Sequence, residues 1–151
     1  MNQRDPAAAT DAAQTLAERV RDAMFAKDAA ARALGMAVTA IAPGRATVTM
    51  TVRADMLNGF GICQGGLVTT LADMAFAYAC NSFNELTVAS GFDVDLLAAG
   101  HEGDLLTASG RVVSQGSRMG VYDIEVHNQN GERVAVFRGR SYRVKGRQVV
   151  A

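Results

Sequence analysis

Hydrophobic positions follow two different spacings along this chain. From Thr10 to Lys27, Leu16, Val20 and Met24 recur at intervals of four within an Ala-rich stretch. That spacing predicts an amphipathic helix, and residues 1–9 before it read as a loose tail. Asp28 is a good N-cap for a second short helix, AAARAL, and Gly35 supplies its stop. In RATVTMTV the period changes to two. Thr47, Thr49 and Thr51 alternate with Val48, Met50 and Val52, as a half-buried strand requires. Four later runs also read as strands: TVASGFDVDLLA, DLLTASGRVVSQG, MGVYDIEVHN and ERVAVFRGRSYRV. Asn130-Gly131, between the last two, is a hairpin signal.

The stretch NGFGICQGGLVTTLADMAFAYACN, from Asn58 to Asn81, has no alternation. From Gly65 to Cys80, Leu67, Leu71, Met74, Ala75 and Tyr78 keep helical spacing, and the other face is small or apolar. Such a helix is buried on most sides. The order helix, strands, one long central helix, then a run of antiparallel strands predicts an α+β fold, with a sheet curled around one buried helix. At 151 residues, with no repeat and no low-complexity linker, the chain reads as one folded unit. Its expected parts are an N-terminal tail and helix extension over 1–23 and the folded domain over 24–147.

Composition narrows the function. Lys plus Arg and Asp plus Glu both number 15, so no global basic field exists to hold nucleic acid or an anionic membrane. The charged N-terminus lacks the apolar core of a signal peptide, and no span is long enough to cross a membrane, so a cytoplasmic protein is expected. Cys63 and Cys80 form no CxxC and lie far in sequence from His101 and His127. Free thiols are expected, with no metal site. Both histidines read as surface residues, and Cys63 lacks the histidine partner of a nucleophile.

One acid breaks the apolar central helix: Asp73. It either lies on a narrow solvent-facing stripe or is kept for chemistry. Helical spacing puts Gly66, Thr69, Thr70 and Asp73 on one face. That face leads back to Gly65-Gly66, where the first N–H groups of the helix have no internal partner and can stabilise a developing oxyanion. The same glycines also suit a plain strand-to-helix turn. Eight residues of straight helix separate Gly65 from Asp73 by about 12 Å, too far for one carbonyl to touch both. Two antiparallel copies of the helix remove the difficulty, which points to a twofold dimer with composite sites.

The segment MLNGFGICQGGLVTTLADMAFAYACNS resembles the pattern MLNGxxxCHGGxxxxLADxAFAYACNS of hotdog-fold acyl-CoA thioesterases of the phenylacetate-degradation (PaaI) type. The resemblance runs over roughly residues 24 to 145, through VASGFDVDLL, GVYDIEVHNQNG and VAVFRGRSYRV. It implies a hotdog fold, a dimer that is often paired into a dimer of dimers, and hydrolysis of an aryl- or (hydroxy)phenylacetyl-CoA-like thioester without a cofactor. It gives Asp73 the role of general base or nucleophile. Gly65, with Gly66 beside it, would polarise the thioester carbonyl, and Asn58 would position water or carbonyl. Ser90 or Gly91 matches a strand position that can assist the water.

This chain departs from the pattern twice. Gln64 replaces the histidine before the glycines; it can donate a hydrogen bond but cannot carry a proton at neutral pH. Ala98-Ala99 replaces an Arg-Pro. The first change keeps a rival open, a non-catalytic acyl-CoA-binding protein. Coenzyme A is anionic, so Arg118, Arg138, Arg140, Arg143, Lys145 and Arg147 are candidates to line its path, against the plainer reading of a solvated strand face. Phe60, Met74 and Phe92 are expected to shape the acyl pocket.

Overall fold

The structure is a computed structural model that describes residues 6–151, with side chains from Thr10 onward. Helix α1 runs Pro6–Phe25. It therefore begins earlier than the Ala-rich spacing suggested, on a proline that suits a first helical position. The rest of the expected tail, residues 1–5, lies outside the described residues. Asp28 caps α2 (Ala29–Ala33) by accepting from the Ala31 N–H. The turn closes at Gly35, whose φ of 65° favours glycine. The Gly35 and Met36 amides donate back to Arg32 and Ala31, a Schellman closure.

Six antiparallel strands follow: β1 (Ala37–Ala42), β2 (Arg45–Thr51), β3 (Thr87–Leu96), β4 (Leu105–Gln115), β5 (Met119–His127) and β6 (Arg133–Arg143). Their order in the sheet is β1-β2-β4-β5-β6-β3, so β1 and β3 are the edges. The alternation in β2 is kept, with Ala46, Val48 and Met50 buried between half-exposed threonines. The sequence pattern did not reveal β1, because AVTAIA has no regular alternation and its pairing slips between Val38 and Ala40. The β5–β6 hairpin forms as expected. Gly131, with φ of 78°, takes the left-handed position and Asn130 does not. The loop is therefore longer than a two-residue turn.

Between β2 and β3 lies the long helix α3 (Gly65–Asn81). Leu71, Ala72, Ala75, Phe76, Tyr78 and Ala79 are buried against one face of the sheet. Phe76 meets Tyr122 edge-on with centroids 5.7 Å apart. A Cβ at Gly139 would come within 2.7 Å of the Phe76 ring, so the bare glycine on β6 lets the helix approach. The expected α+β arrangement, one long helix against a curled antiparallel sheet, is thus the observed one. The helix direction positions the site. Its start lies near the end of β3, since Leu96 reaches Gly65. Its end lies near the start of β3, where the Asn81 side chain pairs with both backbone groups of Thr87.

Candidate active site

The start of α3 is held by the loop before it. The Cys63 N–H donates to Gly100 and the Gln64 N–H to Met56, and Leu57 bridges Cys63 across the loop. Asn58 organises the turn between them, its Oδ1 accepting from the Phe60 N–H at 2.9 Å and the Ile62 N–H at 3.4 Å. Among the described residues its Nδ2 donates to nothing, so that N–H₂ is available at the loop surface.

Asn58, Cys63, Gly65, Leu96, Leu97 and Gly100 line a cavity of about 370 Å³ beside the helix start. The Gly65 and Gly66 amides are the first of the helix, and among the described residues neither has an acceptor. A Cβ at Gly65 would fall 2.5 Å from the Leu96 Cδ1, whereas Gly66 opens into free space. Gln64 is the N-cap residue. Its exposed side chain makes no capping bond. Burial pushes the Cys63 thiol up, which fits the expectation that it is not a nucleophile.

Asp73 is not part of this cavity. It lies two turns along α3, on a stripe with Gly66, Thr69, Thr70 and Ala77 that the sheet leaves partly uncovered. The two threonine hydroxyls donate to the carbonyls four residues back, at 2.9 and 2.8 Å, and so offer the acid nothing. Among the described residues the Asp73 carboxylate has no hydrogen bond and no ion pair. Burial pushes its pKa up from the usual carboxylate value. A half-buried acid without a partner costs stability and gains basicity. Two turns on, Cys80 is buried beside it, with a thiol pushed up to about 12 chiefly by desolvation, and is inert.

The other expected site residues divide by sheet face. Ser90 sits in a bulge of β3 and donates its hydroxyl to the Arg140 carbonyl. Gly91 lies under the Arg140 guanidinium. Arg138 makes a two-pronged pair with Asp123, at 2.7 and 2.8 Å, and this holds the Asp123 carboxyl below its usual range. Arg140 pairs with Asp93 at 2.6 Å. Both arginines project from the sheet face opposite α3, away from the Gly65 cavity. Arg118 contacts Tyr142 Oη at 3.2 Å in a separate basic cavity with Arg143, Lys145 and Arg147. His127 lies near Glu125 at 3.6 Å, on the outer sheet face with Asp123. The apolar walls Leu96 and Leu97 escaped sequence reasoning. Their only signal was a Leu-Leu pair ending a strand run, which also fits an ordinary core.

Residues 60–135 match the thioesterase superfamily. The acyl-coenzyme A thioesterase PaaI of Escherichia coli (strain K12) is 52% identical over 124 residues, 82% of this chain and 89% of that protein. The solved structure of the Escherichia coli PaaI protein from the phenylacetic acid degradation operon superposes with a TM-score of 0.87 at 48% identity, covering 89% of this chain and 97% of that one. A Streptococcus mutans UA159 protein solved bound to acetyl CoA superposes with a TM-score of 0.72 at 27% identity, covering 75% of this chain and 91% of that one. Among the described residues, no helix is long and apolar enough to cross a membrane. A long helix against a six-stranded antiparallel sheet, an acid on its open face and this degree of likeness place the chain in the thioesterase superfamily, as a hotdog-fold thioester hydrolase.

Proposed function

We propose that the protein hydrolyses an acyl-CoA thioester of the aryl or (hydroxy)phenylacetyl class, releasing the free acid and coenzyme A at sites shared between two subunits. The observation that carries this reading is the separation of the two halves of one chemistry. The open amide of Gly65 lies at a cavity lined by no acid, and the unpartnered Asp73 carboxylate lies about 12 Å along the same helix.

The edge strand β3 suggests how the halves meet. Phe92 stacks on Phe137 with centroids 4.8 Å apart, and Leu96 lies over Gly65, so both point to the helix side. Yet they remain 40% and 52% exposed, and Leu97 is 56% exposed. A long strand edge with uncovered large apolar residues is suited to pairing with another chain. Antiparallel pairing with a second β3 about a twofold axis extends the sheet and lays the two α3 helices side by side in opposite directions. Asp73 of one subunit then faces the Gly65 cavity of the other.

In such a site the Asp73 carboxylate takes a proton from water as the water oxygen attacks the thioester carbonyl carbon. The alternative is direct attack by the carboxylate, followed by hydrolysis of the mixed anhydride. Either way the carbonyl oxygen gains negative charge, which the Gly65 N–H and the helix dipole stabilise. The tetrahedral intermediate collapses by breaking the carbon–sulfur bond, and the coenzyme A thiolate leaves and takes up a proton. Asn58 Nδ2, at the cavity, and the exposed Gln64 amide, at the helix N-cap, are free donors that could serve carbonyl or water.

Release of free thiol from a panel of acyl-CoA thioesters tests this reading. Arylacetyl-CoA is expected to be the preferred class, and Asp73→Asn is expected to lower kcat by roughly 10²–10⁴ if the acid is a general base. Near-normal turnover in Asp73→Asn would remove Asp73 from the chemistry.

A further inference from the structure

The chain is electrically neutral, and several of its cations are paired with nearby carboxylates. Arg53 holds Asp55, Arg138 holds Asp123, Arg140 holds Asp93 and Arg133 reaches Glu125. One cavity gathers cations in excess of carboxylates. A cavity of about 530 Å³ at the exit of β6 gathers Arg118, Arg143, Lys145 and Arg147 around a single carboxylate, Glu85. Arg143 reaches Glu85 at 3.2 Å and lies over the Phe83 ring. Among the described residues, Lys145 and Arg147 have no ion pair, and Arg118 has only the Tyr142 hydroxyl. The buried Arg143 Nε–H also has no acceptor. The guanidinium thus keeps hydrogen-bonding capacity that the chain does not use.

The cations are presented by a built turn. Val144 to Arg147 is a β-turn closed by the Arg147 N–H on the Val144 carbonyl, with Gly146 at φ of 71° in the position that requires it. Both ends are tied to Leu86: the Val144 N–H donates to Leu86, and the Leu86 N–H donates to Arg147. Lys145 and Arg147 therefore flank a fixed corner beside Arg143. Fixed, unneutralised cations around a concave surface suit a phosphate ester.

The location matters as much as the charge. Arg143 pairs with Thr87, at the start of β3, while the Gly65 cavity lies against Leu96, at its end. Within one chain these ends are about 30 Å apart. The β3–β3 pairing proposed above brings the start of one strand alongside the end of the other, so the basic cavity of one subunit flanks the Gly65 cavity of its partner.

We infer that the cavity formed by Arg118, Arg143, Lys145 and Arg147 is the docking site for the phosphate groups of the coenzyme A moiety, whose thioester is cleaved at the Gly65 cavity of the other subunit. This rests on the acyl-CoA reading of the site. The subunit that lends Asp73 then also holds the nucleotide end of the substrate, and the anionic handle orients the thioester toward the acid.

The test uses the full-length protein and the double variant Lys145→Ala/Arg147→Ala, whose side chains are exposed and hold no fold contacts among those described. Two substrates are compared: phenylacetyl-CoA and the phenylacetyl thioester of N-acetylcysteamine, which has the same reacting bond and no phosphate. Binding of adenosine 3′,5′-bisphosphate is measured by calorimetry in parallel. In the double variant the preference for the CoA thioester over the phosphate-free one falls by about tenfold or more, through KM, since charge-assisted contacts are lost. Wild-type binding of the bisphosphate is expected to be lost with it. Equal loss on both thioesters, or a KM for phenylacetyl-CoA within twofold of wild type, overturns the assignment. If the wild type cleaves neither thioester, the hydrolase reading fails. The calorimetric arm then decides the anion site alone: bisphosphate binding that disappears in the variant supports it, and no binding overturns it.

Discussion

The two edges of the sheet are finished differently. On the β1 edge a short, slipped strand packs against α1 of the same chain, and no large apolar side chain is left exposed along it. The β3 edge is ten residues long and leaves Phe92 and Leu96 uncovered on its helix side. Helix α3 repeats the contrast. One face is sealed by Leu71, Ala75, Phe76 and Tyr78, and the other shows Gly66, Thr70, Asp73 and Ala77. Both ends of α3 meet the open edge strand, Leu96 reaching Gly65 and Asn81 pairing with Thr87. On the shared-site reading proposed above, the chain closes what one subunit needs for folding and leaves open what a second copy would complete.

A charge placed on each edge breaks the comparison most directly. Leu96→Asp puts a carboxylate where β3 would meet β3, and burying it unpaired costs several kcal/mol. The variant is expected to elute as a monomer and to lose roughly a hundredfold or more in activity, as removal of a catalytic acid does. Leu96 also walls the Gly65 cavity, so the oligomeric state is the deciding readout. Thr39→Asp on the exposed β1 edge is expected to leave assembly intact and to change stability by about 0.5 kcal/mol or less. A Leu96→Asp protein that stays dimeric would remove the β3 pairing.

A smaller effect is expected at Gln64, whose exposed side chain is free to donate a hydrogen bond. Gln64→His should change kcat by less than about tenfold, equivalent to roughly 1.4 kcal/mol. A gain of a hundredfold would mean that the native protein lacks a proton shuttle and binds acyl-CoA more than it cleaves it.

The smallest effect concerns stability. Burial raises the Asp73 pKa in the folded state, so folding is favoured at low pH, where the acid is protonated in both states, and loses that advantage as pH rises through the folded value. Asp73→Asn is therefore expected to raise stability at neutral pH by roughly 0.5–2 kcal/mol. That corresponds to about 2–4 °C in Tm per kcal/mol for a chain of this length. The gain should vanish as pH drops below about 3.9, the ordinary aspartate value. Melting curves of both proteins across pH check the trend, and an equal gain at every pH would contradict it.

Much of this was legible in the sequence. Period-two alternation located β2, the Asp28 cap and Gly35 bracketed α2, and an acid on an otherwise apolar helix drew attention to Asp73. Strand β3 was read as a strand but not as an edge. Its hydrophobic run would suit a central strand equally well, and only the sheet order shows which side is open. The basic residues could not be sorted from the sequence for another reason. A row of arginines along β6 reads as one group, but alternation sends Arg138 and Arg140 to acids on the outer face and Arg143 to the helix side. Pairing partners distant in sequence decide which cations remain free.

The central claim, a site shared by two subunits, is tested most directly by complementation between two inactive variants. Asp73→Asn removes the acid. Gly65 is a poor place for the second lesion, since a Cβ there would press on Leu96. Asn58→Asp is better, because an aspartate Oδ still accepts the loop N–H bonds of Phe60 and Ile62 while placing negative charge beside the developing oxyanion. Each variant is first shown to be dimeric, folded and inactive; the two are then unfolded and refolded together. With random pairing half the dimers are mixed, and each mixed dimer has one intact site of two. The account predicts recovery to roughly a quarter of native activity, in which the intact site takes Asp73 from one chain and Asn58 with Gly65 from the other. No recovery in a sample shown to contain mixed dimers would place the whole site within one chain and contradict the account.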